Sequence, residues 1–106
     1  MTMAQAFHWE LMDQMNPELH TKFSAMSAQI NADEVIPKKY REMMILSMAC
    51  VLRCMPAVKA HAANCVKLYG CTKEELYCVV ASAITMGGVP AYRESCAALE
   101  ELFNSL

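Results

Sequence analysis

The stretch 42-EMMILSMACVLRCMPAVKAHAANC-65 decides the fold. From Met43 to Leu52 it is apolar nearly all round, interrupted only by Ser47, which reads as the central half of a helix without a wet face. Arg53 and Cys54 end that run, and Pro56 falls where proline is best tolerated, in the first turn of a new helix. The break lets the two helices fold against each other. Cys54 then stands just outside a helix N-terminus, where the macrodipole and the neighbouring Arg53 cation favour a thiolate over a thiol. His61 lies about one and a half turns into that helix, and Glu42 reaches in from the helix before it. A thiol, an imidazole and a carboxylate are the parts of thiol chemistry or acid–base chemistry, and they are expected to converge at one pocket close to a subunit interface.

Outward from this stretch the punctuation is helical throughout. Thr2 with Gln5 reads as a capping box for a short helix over about 3–14, ending before Asn16-Pro17. Asn16 as cap and Pro17 at the first position start a second helix to about Asn31, with Leu19, Phe23, Met26 and Ile30 on one face. Asp33 to Ile36 connects it to a third helix, opened by Pro37 and running through Leu52. A fourth runs from Pro56 to Tyr69 and stops at Gly70, the usual left-handed cap residue. Thr72 and Glu75 form a second capping box for a fifth helix to about Met86, Gly87-Gly88 ends it, and Pro90 starts the last helix to about Phe103. No window alternates with period two long enough to commit to a strand. The pattern predicts an all-α single domain over 1–106, a bundle of about six helices.

Composition narrows the function. At 106 residues, a domain buries only roughly 60–70% of its unfolded surface. Yet 56% of the residues are apolar and the mean hydropathy is +0.19, so a homo-oligomer whose interfaces cover the remainder is expected. No uninterrupted apolar run approaches the roughly 20 residues of a spanning helix, and nothing in MTMAQAFHWE suggests secretion. A net charge of −2 and the lack of a basic stripe argue against nucleic acid. Six cysteines, several inside apolar helical segments, read as mostly reduced core thiols of a cytoplasmic protein. No cofactor is expected. A zinc site from Cys50, Cys54, His61 and Cys65 is set aside, because positions spread that far along the chain do not converge on one ion without a fold back at Met55-Pro56.

The same residues carry a resemblance. Glu42, Cys54 and His61 resemble the signature of the carboxymuconolactone decarboxylase and alkylhydroperoxidase D-like family, which reads Glu, eleven residues, Cys-x-x-Cys, three residues, His. Ala57 stands where the second cysteine of that signature falls. HAANCVKLYGCTKEELYCVVASAITMGGVPA (61–91) is also similar, with a Gly, then Thr-x-x-Glu, then Gly-x-Pro-Ala, and the likeness spans roughly 37 to 100. It implies an alkylhydroperoxidase D-like helical fold, assembled as trimers or as hexamers built from trimers. It also implies a thiol-dependent peroxidase with a small-molecule substrate, in which Cys54 reacts and His61 and Glu42 move protons. With Ala57 in place of a thiol, Cys50, Cys65 or an external thiol reductant would resolve the Cys54 sulfenic acid. The alternatives are a non-redox lyase of the lactone decarboxylase type, acting on a small organic acid or lactone through His61 and Glu42, and a member without catalysis.

Overall fold

Prolines or capping side chains mark four of the helix starts, and the computed structural model, which describes residues 7–106, places seven helices. They are α1 (Phe7–Met15), α2 (Pro17–Ile30), α3 (Lys38–Val51), α4 (Met55–Lys67), α5 (Lys73–Ser82), α6 (Ile84–Ala98) and α7 (Glu100–Asn104). The fold is all-α. The expected Thr2–Gln5 capping box lies outside the described residues. No helix among those described is long and apolar enough to cross a membrane. Residues up to Val35 and residues from Ile36 onward form two compact units.

In the first unit Asn16 caps α2 as expected, its side chain accepting from the Leu19 N–H at 3.1 Å, with Pro17 in the first turn. Trp9 of α1 stacks on Phe23 of α2 with ring centroids 4.6 Å apart. Neither helix contains a buried residue, and Phe7, Met15 and Ile30 are among the apolar side chains left exposed.

In the second unit α3 is central and packs against α4, α5 and α6. It contributes Leu46, Ala49 and Cys50 to the core, as its apolar second half implies. Val58, Ala62 and Cys65 of α4 repeat every third or fourth residue and face the same core as Leu76, Val79 and Val80 of α5. Pro37 sits just outside α3, at its cap, rather than at the first helical position. Gly70, with φ +65, closes α4 by donating its N–H to the Val66 carbonyl at 3.1 Å. The Thr72–Glu75 capping box is present with both bonds made. Lys39 of α3 reaches the same glutamate, Nζ to Oε2 at 3.0 Å.

The C-terminal third departs from the sequence reading. Helix α5 ends at Ser82, four residues short of Met86, and the Ser82 hydroxyl donates to the Cys78 carbonyl at 2.7 Å. Such back-bonding to the preceding turn competes with the helical ladder and bends helices. The chain restarts at Ile84 and kinks at Gly88, whose φ of 78 and ψ of 175 are essentially reserved for glycine. From Pro90 it continues helically to Ala98, and a non-helical Leu99 divides the expected last helix to give α7. Hence seven helices stand where about six were expected.

Candidate functional site

The break between α3 and α4 brings one carboxylate against two donors. Glu42 lies in the second turn of α3, and His61 and Asn64 lie three residues apart on α4, hence on one face. The His61 Nδ1 is 3.0 Å from Glu42 Oε1, and Asn64 Nδ2 donates to the same oxygen at 2.8 Å. The Asn64 amide nitrogen can only donate, so this oxygen is an acceptor. A neutral His61 facing it therefore carries its proton on Nδ1 and leaves Nε2 as a free base. The carboxylate side chain is 12% exposed and the imidazole 32%. Two donors on one oxygen offset the cost of withdrawing the carboxylate from water, while the imidazole keeps access to small molecules.

Cys54 is placed by a different device. It caps the N-terminus of α4, is exposed, and makes no side-chain cap hydrogen bond. The turn before it is a Schellman motif: Arg53 N–H donates to the Cys50 carbonyl at 3.0 Å and Cys54 N–H to the Ala49 carbonyl at 3.1 Å. Its left-handed position, usually glycine, is Arg53 at φ 58, and the Arg53 guanidinium pairs with Glu94. Cys54 precedes His61 by seven residues, about 10 Å along a helix axis. The fold thus joins Glu42 to His61, and Cys54 stands at the head of the helix that carries His61. Ala57, one turn before His61, packs its methyl against the core.

The two candidate resolving thiols are in the core. Cys50 and Cys65 are fully buried. Burial pushes the Cys50 thiol above its ordinary value, and burial, with Cys71 and Glu42 adding to it, pushes Cys65 up to about 12. Eleven residues of helix separate Cys54 from Cys65, about 16 Å of axial rise. A disulfide spans far less, so an intact α4 keeps these two sulfurs apart. No group of His, Cys, Asp and Glu among the described residues is arranged to hold a metal ion.

The second unit also carries concavities away from these residues. One of about 500 Å³ runs along Lys59, Ala63 and the Ala97–Leu102 segment. Another, of about 280 Å³ and largely apolar, lies between α3 and α5, lined by Tyr40, Met43, Met44, Ser47, Val79 and Ser82. Neither is lined by Glu42, Cys54 or His61.

Asn64 escaped the sequence reading. Its signal was positional, a donor three residues after His61 on the face that turns toward Glu42. The architecture is that of an all-α protein with a carboxylate-anchored histidine. The chain belongs to the carboxymuconolactone decarboxylase family, whose sequence pattern matches residues 17–101. That match begins about twenty residues before the stretch in which the likeness is visible by eye, so it includes α2. No curated protein and no solved structure matches the chain.

Proposed function

We propose that the chain is a small acid–base enzyme, in which His61 moves a proton at Nε2 on a small organic acid or lactone and Glu42 and Asn64 hold the imidazole. The observation that carries this reading is the 3.0 Å approach of His61 Nδ1 to Glu42 Oε1, an oxygen already fixed by Asn64. An imidazole held at one nitrogen by a carboxylate presents the other as general base, and the carboxylate stabilises the imidazolium that results. In the direction the family description implies, His61 Nε2 takes the proton of a carboxylic acid conjugated with a lactone ring, and the resulting carboxylate leaves as carbon dioxide. The electron pair of the broken C–C bond enters the ring system, and the imidazolium returns a proton to carbon.

A second reading is a thiol-dependent peroxidase. It is favoured by the exposure of Cys54 at the head of α4, while Cys50, Cys65 and Cys71 are buried. There the Cys54 thiolate attacks a hydroperoxide, the O–O bond breaks, His61 protonates the departing alkoxide, and an external thiol reduces the sulfenic acid. Two assays on wild type, His61→Ala and Cys54→Ser separate the readings. Loss of carboxymuconolactone turnover in H61A with retention in C54S supports the acid–base enzyme. Thiol-dependent reduction of an organic hydroperoxide that disappears in C54S supports the peroxidase. Wild type inert in both assays would overturn each reading.

In either case the protein acts as one domain over 1–106 in a cytoplasmic homo-oligomer, a trimer or hexamer. On α3 and its cap, Tyr40, Met44, Met48 and Leu52 recur at every fourth residue and are 49–77% exposed, an apolar stripe that supports an interface. Light scattering that finds only monomer at micromolar concentration would overturn this.

A further inference from the structure

We infer that Cys65 and Cys71 form an intramolecular disulfide when the protein meets a hydroperoxide, making the end of α4 a redox-modifiable site independent of the activity proposed above. The two residues flank the left-handed turn at Gly70, and the Cys71 N–H donates to the Cys65 carbonyl at 3.0 Å. This bond closes the turn and holds the two backbones side by side, and a disulfide between them needs a Cα separation of about 4.4–6.8 Å. Both side chains enter the same core cluster, 0% and 4% exposed, and their thiols interact with each other across the turn. Cys50 and Cys65, weighed above as partners for Cys54, lack this relation to it.

The surroundings tell the two thiols apart. Cys71 keeps a sliver of exposure. Burial raises its thiol and the Glu75 carboxylate adds to that, while the Lys39 ammonium acts in the opposite direction. Cys65 is fully enclosed and feels the Glu42 carboxylate. Cys71 is therefore the attacking sulfur. Its thiolate takes the outer oxygen of the peroxide as the O–O bond breaks, giving a Cys71 sulfenic acid and one water once the departing oxygen is protonated. The Cys65 sulfur then displaces hydroxide from Cys71 Sγ, and a second water leaves with the Cys65 proton. Two thiols lose two electrons, and hydrogen peroxide becomes two waters. Burial makes the first step depend on transient opening of the turn, so the exposed Cys54 and Cys78 react first.

The test is disulfide mapping of the full-length protein after hydrogen peroxide treatment sufficient to consume the Cys54 and Cys78 thiols. Remaining thiols are blocked under denaturing conditions before digestion. Trypsin cuts after Lys59, Lys67 and Lys73, so Cys65 and Cys71 fall in separate peptides, 60–67 and 68–73. The expected result is one linked species of these two peptides, two hydrogens lighter than their sum and abolished by dithiothreitol. In a mixture of light and nitrogen-15-labelled protein the link should join peptides of one isotope only. Cys71→Ala should leave Cys65 as a blockable thiol, and if that variant does not fold the wild-type map alone decides. Both thiols found free, Cys65 linked to any other cysteine, or mixed-isotope links would overturn the inference.

Discussion

Removing the Glu42 carboxylate should cost more stability than removing either of its donors, and a double-mutant cycle apportions the loss. Glu42 Oε1 accepts from Asn64 at 2.8 Å and faces His61 at 3.0 Å. A hydrogen bond to a charged group is worth about 1.5–3 kcal/mol. The 32% exposure of the imidazole lets water replace part of its bond, which brings the His61 share to about 1–2 kcal/mol. Glu42→Ala, which loses both bonds, should therefore lose about 2.5–5 kcal/mol and His61→Ala about 1–2 kcal/mol. The double variant should lose about 1–2 kcal/mol less than the sum, because the shared bond is counted once. Asn64 is orphaned in both Glu42 variants and cancels from the cycle. Urea denaturation at one fixed protein concentration reads all four proteins, since association would otherwise move the midpoints. A coupling energy below about 0.3 kcal/mol would mean that the contact contributes nothing and that His61 is not held by Glu42.

Gly88→Ala should destabilise by about 1–3 kcal/mol in thermal or urea melts, since its backbone angles are closed to a residue with a Cβ; an unchanged midpoint would contradict the kink. Leu76→Ala should cost about 2–5 kcal/mol by the same measurement, because Leu76 is 1% exposed within the core. Acid titration of stability should expose Glu75, whose pKa is lowered first by the Thr72 backbone N–H and then by Lys39. A depressed carboxylate stabilises the fold above its unfolded value and loses that contribution as pH falls through the folded value, so Glu75→Gln should flatten the acid limb of the profile.

The parts of the fold legible in the sequence are those written in residues with one structural use. Pro56 marks the α3–α4 break, Asn16 and Thr72 mark helix starts, and the spacing from Glu42 to His61 anticipates a carboxylate meeting an imidazole. The remainder lacked such marks. Ser82 ends α5 through a back-bond to Cys78 that no glycine or proline announces. Leu99 divides the last helix with only a doubled N–H bond to the Ser95 and Cys96 carbonyls. Arg53 occupies a left-handed turn position where glycine is the usual sign, supported by its pairing with Glu94 from a distant element. Asn64 was invisible for a related reason. An asparagine on a helix is unremarkable until the partner helix shows which oxygen it faces.

The protonation state of the His61 ring tests the central claim most directly. The protein contains three histidines, so a long-range proton–nitrogen correlation spectrum, assigned by comparison with His61→Ala, resolves each ring. At a pH where the ring is neutral, the Glu42 and Asn64 arrangement predicts His61 with its proton on Nδ1 and a bare Nε2. Glu42→Ala should shift the ring toward a mixture of tautomers. A His61 carrying its proton on Nε2 in the wild-type protein would contradict the account, because the nitrogen assigned to proton transfer would then have no lone pair with which to act.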